Sequence, residues 1–230
     1  MAVGYSQGGQ AVWAANELDS YYGNDLQLEG SVALAPAVNL TGTAELAGSG
    51  SLTQDQRSRF PMAIVGFGRY NPDLDLDAFL HGSAEAYQEV LSHCEQNGSQ
   101  PSTLSRFHTA APVLWRPVVE RLRAANEVKP DRGEDVAKLR EALRRIALPQ
   151  RPLNKPMLVI IGEQDAVVLP QWVQSAVARS CALGGQIEYL QIPDAGHLDL
   201  PTLVADTTQR WIADRFAGMP APSNCLAGQR

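Results

Sequence analysis

Short, continuously apolar segments alternate with amphipathic segments in two separate parts of the chain. An apolar run of strand length is typical of a strand buried on both faces of a parallel sheet. The amphipathic segments between these runs have the spacing of surface helices. The predicted strands are Met1–Val3, Gly30–Pro36, Lys155–Gly162 and Gly185–Ile192, and the predicted helices are Gln10–Leu18, Pro170–Leu183 and Pro201–Phe216. This alternation predicts an α/β fold, with a mostly parallel sheet flanked by helices.

Residues 38–150 interrupt the alternation. They contain little strand signal, and Gly and Ser are dense from Thr41 to Ser51. Helical patterns recur over about 84–96, 117–126 and 134–146. We therefore expect residues 1–37 and 151–230 to form one core, and residues 38–150 to form a mostly helical insertion.

The composition argues against several classes of function. The formal net charge is -6 and the sequence has no Lys/Arg cluster, so we expect no nucleic-acid partner. No apolar run approaches the roughly 20 residues that a membrane helix needs, so we expect no stable membrane insertion. Cys94, Cys181 and Cys225 lie outside any Cys-x-x-Cys or Cys/His pattern, so we expect no metal site.

A Gly-x-Ser-x-Gly motif, Gly4 to Gly8, lies between the first predicted strand and the first predicted helix. This is the context of the nucleophile elbow in α/β-hydrolases, where a sharp turn exposes a reactive serine at the head of a helix. Ser6 is then the candidate nucleophile, and the backbone N–H of Gln7 is a candidate oxyanion donor. We expect both glycines to be required by close backbone packing. The motif also occurs by chance, in a glycine-rich turn whose serine is idle.

Two further residues strengthen the catalytic interpretation. Asp165 follows the strand that ends at Gly162, and His197 lies in a loop after the next strand. Alone, the aspartate is as readily a turn residue or helix cap, and the histidine a surface residue. Because the order Ser, Asp, His is that of α/β-hydrolases, and each residue follows a strand of one sheet, we predict a triad of Ser6, Asp165 and His197. His197 then accepts the Ser6 proton, and Asp165 fixes the imidazole tautomer.

Other acids and histidines are weaker candidates. Glu163 is too close to its strand end to reach as easily, whereas Asp194 and Asp199 flank the histidine and are expected to shape its loop. The remaining histidines fall in the insertion, where we expect structural or solvent-facing roles. These residues are His81, His93 and His108.

Four segments of the sequence resemble the secretory lipase family, of the lipase A type. The segments are Gly4–Ala14, Leu26–Gly30, Pro72–Phe79 and Arg215–Cys225. The resemblance extends over nearly the whole chain. It implies an α/β-hydrolase fold with a helical lid between sheet strands, and hydrolysis of acylglycerols and simpler esters without a cofactor.

The resemblance also implies further residue roles. The lid would belong to residues 38–150, and its apolar side would line an acyl pocket. Candidate substrate-binding residues are Tyr5, Phe79, Leu114 and Trp115, although the last three are equally plausible core residues. Family members are secreted and often contain disulfides, so we expect a Cys181–Cys225 pair and a secreted parent protein. Cys94 would then bond to a cysteine upstream of this chain.

The sequence departs from the family at its start. Family members have a long segment before the elbow, which supplies the first strands of the sheet and the second oxyanion donor. This chain has neither, so we expect a partial sheet with an open edge beside the Ser6 strand. Self-association through that edge is one expectation.

Three alternatives to an ester hydrolase remain open from sequence. A serine peptidase of the prolyl-oligopeptidase type shares the elbow and the order of the triad, but usually lacks a large insertion after the nucleophile strand. A catalytically impaired fragment that serves as a binding or assembly module would fit the missing N-terminal part. Acyl transfer would use the same acyl-enzyme.

Overall fold

The computed structural model describes residues 1–22, 25–82, 84 and 127–225. In chain order the elements are β1 (Ala2–Tyr5), α1 (Gln7–Tyr22), β2 (Ser31–Leu34), α2 (Gly42–Ser49), α3 (Gln54–Tyr70), a 3₁₀ turn (Leu76–Ala78), α4 (Gly133–Ile146), β3 (Met157–Gly162), α5 (Pro170–Ala182), β4 (Ile187–Ile192), α6 (Leu200–Leu203) and α7 (Ala205–Phe216). They form two compact units. One comprises Met1–Leu40 and Ile146–Arg230, and the other comprises Thr41–Arg145.

The first unit is built on a four-stranded parallel sheet in the order β1-β2-β3-β4. Every residue of β2 and β3 is buried, as expected for apolar strands in the middle of a parallel sheet. Because all four strands run the same way, their carboxyl ends share one edge of the sheet. Chemistry-bearing residues that follow β1, β3 and β4 are therefore brought close to one another.

The other edge of β1 carries no strand among the described residues, and Val3 in that strand is 50% exposed. The edge of β4, by contrast, is partly covered by the C-terminal tail. The side chain of Asn224 accepts from the Tyr189 N–H at 2.9 Å and donates to the Tyr189 carbonyl at 2.7 Å, as a neighbouring strand would. Cys225 forms a disulfide with Cys181, which confirms the predicted pair. Self-association through the β1 edge stays a prediction.

The second unit has its own apolar centre. Phe60 and Phe79 pack with ring centroids 6.4 Å apart, and α4 contributes Leu139 and Leu143 from its buried face. The helix α3 was not predicted, although Thr53 and Gln56 form a capping box at its start that the sequence displays. The predicted helices over about 84–96 and 117–126 lie outside the described residues, apart from Ala84.

Glu17 is a buried carboxylate on α1 with 3% exposure. One carboxylate oxygen accepts the backbone N–H groups of Gln150 and Arg151, each at 3.1 Å. Burial raises the pKa of Glu17, and these two hydrogen bonds offset only part of that effect. The ionised form of Glu17 is therefore less favourable in the folded chain than in the unfolded chain.

This raised pKa predicts a pH-dependent effect of Glu17→Gln. The folded state holds the Glu17 proton more tightly than the unfolded state, so the stability it contributes is present at low pH and is lost as pH rises through the folded pKa. The difference in unfolding free energy, variant minus wild type, should increase between pH 4.5 and 7 in urea titrations. In the control Glu134→Gln this difference should change little or fall, because Lys138 lowers the pKa of the exposed Glu134. A pH-independent difference for Glu17→Gln would contradict the prediction.

Candidate active site

Ser6 lies in the sharp turn between β1 and α1. Its backbone φ is 56°, in the left-handed region that residues with a side chain seldom adopt. Three backbone hydrogen bonds hold it there. The Ser6 N–H donates to the Leu34 carbonyl at 2.8 Å, and the Ser6 carbonyl accepts from Gln10 at 3.2 Å and Ala37 at 3.1 Å. The strained residue is therefore tied to α1, to the end of β2 and to the segment just after it, which is how an elbow is kept in place.

The glycines of the motif have unequal roles. A Cβ on Gly4 would lie 2.0 Å from the Gly8 carbonyl oxygen, so only glycine fits there. A Cβ on Gly8 would meet no described atom within 4 Å, so the expected packing constraint at Gly8 is wrong. The packing constraint falls on Gly9 instead, because a Cβ added there would lie 2.9 Å from Pro36 Cα.

Asp165 lies in the loop after β3 and is fully buried. One carboxylate oxygen, Oδ1, accepts the N–H groups of Val167 at 2.9 Å and Val168 at 2.8 Å. The other oxygen, Oδ2, lies 2.6 Å from His197 Nδ1. The side chain of Asp165 is 0% exposed and that of His197 is 5% exposed, so water hardly competes for the hydrogen bond between them. The backbone donors fix which oxygen faces the imidazole.

His197 lies in the loop between β4 and α6, and its Nε2 is 2.9 Å from Ser6 Oγ. The structure thus brings together Ser6, Asp165 and His197, the three residues predicted from strand ends. The loop is packed tightly on the end of β3, because a Cβ on Gly162 would lie 2.2 Å from the Ala195 carbonyl oxygen. The Gln164 N–H also donates to that carbonyl at 3.0 Å.

The rival acids have other hydrogen-bond partners. Asp194, at φ 58°, accepts from the Gln164 side chain at 2.9 Å, and Asp199 accepts from the Gly196 N–H at 3.0 Å. Both contacts lie within the histidine loop or between it and the end of β3. Glu163 is exposed. Asp165 is the acid that contacts the His197 ring.

The other sequence-predicted site residues are placed as follows. Gln7 is the first residue of α1, where a backbone N–H has no acceptor within the helix. Tyr5 directs its hydroxyl at the His197 carbonyl, which sequence reasoning did not foresee. Phe79 is fully buried in the second unit, and its contact with substrate stays a prediction.

Leu114 and Trp115 lie outside the described residues, as do His93, Cys94 and His108. His81 is in the second unit, where its Nε2 lies 3.3 Å from Asp131 Oδ1.

The described residues were also compared with the patterns of metal sites and of membrane-spanning helices. No three His, Cys, Asp or Glu side chains of the described residues are grouped so as to hold a metal ion. None of the helices in the described part of the chain is long and apolar enough to cross a membrane.

The fold is similar to that of two solved enzymes. The structure of Candida antarctica lipase A matches with a TM-score of 0.60 and 16% identity, covering 97% of this chain and 50% of that chain. The rice cell wall degrading esterase LipA from Xanthomonas oryzae matches with a TM-score of 0.57 and 17% identity, covering 90% and 54%. The chain spans about half the length of these structures. At such identities the likeness is one of fold, and it confirms the predicted α/β-hydrolase class.

No curated protein sequence matches the chain. The family model of the secretory lipases matches residues 1–224, which is nearly the whole sequence and includes the elbow, the aspartate loop and the histidine loop. Three of the four segments that carried the resemblance fall within this match, and the fourth does so up to Asn224. The chain belongs to the secretory lipase family.

Proposed function

We propose that this chain carries the catalytic residues of a serine carboxylic-ester hydrolase, a lipase or esterase that works through an acyl-enzyme on Ser6. The observation that carries the proposal is the unbroken hydrogen-bonded series from Ser6 Oγ through His197 to Asp165, at 2.9 and 2.6 Å. Nucleophile, base and orienting acid are in reach of one another without any rearrangement.

Acylation begins when Ser6 Oγ attacks the ester carbonyl and passes its proton to His197 Nε2. The carbonyl π electrons move onto oxygen, and the Gln7 N–H at the head of α1 donates to the resulting oxyanion. The positive end of the α1 dipole favours the same charge. When the tetrahedral intermediate collapses, His197 returns the proton to the departing alcohol, which leaves the acyl group on Ser6. Water, activated by His197, then releases the acid.

Asp165 makes this sequence of proton transfers possible. Its Oδ2 accepts the Nδ1–H of His197, so that Nε2 is free to accept the Ser6 proton. It also stabilises the imidazolium that forms during each half-reaction. The N–H groups of Val167 and Val168 hold the carboxylate in the orientation that this role requires.

The substrates proposed are acylglycerols and simpler carboxylic esters, on the strength of family membership. The unit Thr41–Arg145 is proposed to contain the lid. Tyr5, Phe79, Leu114 and Trp115 are retained as candidate substrate contacts. An extracellular location is supported by the name of the family and by the Cys181–Cys225 disulfide, since such bonds persist in oxidising compartments.

A fluorophosphonate probe tests whether Ser6 is the nucleophile. Mass spectrometry of the labelled 230-residue chain should place the adduct on the peptide that contains Ser6, and heat-unfolded chain should not react. Equal labelling of folded and unfolded chain would contradict the proposal. Absence of labelling in a folded sample would favour a binding or assembly module.

The class of substrate is tested by comparing p-nitrophenyl esters with peptide p-nitroanilides of similar size. We expect kcat/KM to be higher for the esters. Faster cleavage of the anilides would replace the esterase proposal with a peptidase of the prolyl-oligopeptidase type. Added alcohol in the ester assay separates hydrolysis from acyl transfer, because transfer produces a new ester in place of the free acid.

A further inference from the structure

Tyr5 links the nucleophile strand to the histidine loop. It is the last residue of β1 and directly precedes Ser6. Its hydroxyl donates to the backbone carbonyl of His197 at 2.8 Å, across 192 positions of sequence. Its ring also lies beside the imidazole, with centroids 5.0 Å apart and planes tilted by 38°. Tyr5 therefore contacts both the backbone and the side chain of the base.

Other hydrogen bonds of the histidine loop are made to the end of β3 or within the loop itself. The Ala195 carbonyl and the Asp194 side chain bind Gln164 at the end of β3, and Asp199 closes the loop on Gly196. These contacts fix His197 relative to Asp165, because Asp165 follows Gln164 in the loop after β3. The Tyr5 hydroxyl ties the His197 backbone to β1, next to the serine, and so adds to the bond between Ser6 and the imidazole.

We propose, resting on the function proposed above, that Tyr5 is a positioning residue that sets the distance between His197 Nε2 and Ser6 Oγ. The hydroxyl anchors the histidine backbone to β1, and the ring limits rotation of the imidazole. Proton transfer requires these two atoms to stay within hydrogen-bond reach, and small displacements of reacting groups lower rates steeply. The hydroxyl is already engaged with His197, so its loss should change the chemical step more than the binding of substrate.

The first variant is Tyr5→Phe, which keeps the ring and removes only the hydroxyl. We expect kcat for p-nitrophenyl butyrate to fall about 5- to 10-fold, the size of one hydrogen bond expressed in a rate, with KM within about twofold. The rate of fluorophosphonate labelling should fall by a similar factor. The matched control is Tyr189→Phe, because the Tyr189 hydroxyl is buried with no hydrogen-bond partner among the described residues. It should leave both rates unchanged.

A second readout needs no turnover. The proton shared by His197 Nδ1 and Asp165 should give a far-downfield ¹H NMR resonance, since the two atoms are 2.6 Å apart. In Tyr5→Phe this resonance should shift or broaden, and in Tyr189→Phe it should match the wild type. If the wild type fails to hydrolyse esters but the resonance responds only to Tyr5→Phe, the proposed function falls and the positioning role stands.

The third variant, Tyr5→4-aminophenylalanine, restores an N–H donor at the same place. It should recover most of the wild-type kcat and the wild-type resonance, and it carries the test if Tyr5→Phe fails to fold. Three results would overturn the positioning role: unchanged kcat and resonance in Tyr5→Phe, a rise in KM at constant kcat, or no recovery in the donor-restoring variant.

Discussion

Replacement of Asp165 by asparagine is expected to lower kcat for ester hydrolysis by about 10⁴-fold, the loss seen when the same change is made in a serine-protease triad. The expected cause of this loss lies in the hydrogen bonds of the two Asp165 carboxylate oxygens. Its Oδ1 accepts two backbone N–H groups, so the carbonyl oxygen of an asparagine must occupy that position. The amide NH₂ then faces His197 Nδ1. A donor at this point forces the imidazole proton onto Nε2, where it blocks acceptance of the Ser6 proton.

Steady-state kinetics with p-nitrophenyl butyrate measures this effect. The matched control is Asp194→Asn, because Asp194 lies in the same loop as His197 but accepts from the Gln164 side chain, which an amide oxygen can still do. Its kcat should stay within a few fold of the wild type, and both variants should keep the wild-type circular dichroism. A loss below about tenfold in Asp165→Asn, or an equal loss in Asp194→Asn, would remove Asp165 from the proposed triad.

Addition of a single methyl group at Gly4 is expected to destroy the elbow. In Gly4→Ala the Cβ would lie 2.0 Å from the Gly8 carbonyl oxygen, 2.3 Å from the Gly8 carbonyl carbon and 2.9 Å from the Gly9 nitrogen. All three are backbone atoms of the first turn of α1, so no side-chain rotation relieves the overlap. We expect the free energy of unfolding to fall by about 4 kcal/mol or more, a size reserved for severe steric or burial defects.

Gly8, the second glycine of the same motif, supplies the control. In Gly8→Ala the methyl group meets no described atom within 4 Å, and the position lies inside α1. Alanine is favoured over glycine in a helix by up to about 1 kcal/mol, so Gly8→Ala should be neutral or stabilising. Urea unfolding of both variants checks the contrast. Equal destabilisation by the two substitutions would contradict the unequal roles assigned to these glycines.

The parallel sheet, and the meeting of Ser6, Asp165 and His197 at one edge of it, could be predicted from sequence because their signals are local. Met157–Ile161 is an apolar run of strand length, and Asp165 and His197 each follow a strand end. Once strands are parallel, residues beyond their carboxyl ends must share one edge, so the topology brings the three residues together. The order Ser, Asp, His along the chain then suggested the role of each residue.

Features that depend on distant contacts could not be predicted. The sequence of Tyr5 and Ser6 carries no sign that the tyrosine hydroxyl reaches a carbonyl 192 positions away. The motif likewise does not show which glycine is crowded, because the crowding at Gly9 comes from Pro36, a residue just beyond β2. Contacts of this kind are set by packing between elements rather than by local pattern.

The division of one predicted helix into two also escaped prediction. The segment Pro201–Phe216 reads as a single amphipathic helix, but the structure divides it at Val204 into α6 and α7. The helix α3 was missed although its capping box was visible, because Pro61 inside it weakens a helical pattern.

The most direct test of the central claim is hydrolysis of p-nitrophenyl butyrate by the 230-residue chain, beside Ser6→Ala and the control Ser51→Ala, whose serine is exposed in the second unit. We expect turnover by the wild type and by Ser51→Ala, and a loss of about 10⁴-fold or more in Ser6→Ala. A folded wild-type chain that hydrolyses the ester no faster than Ser6→Ala would contradict the assignment of Ser6 as the nucleophile of an ester hydrolase.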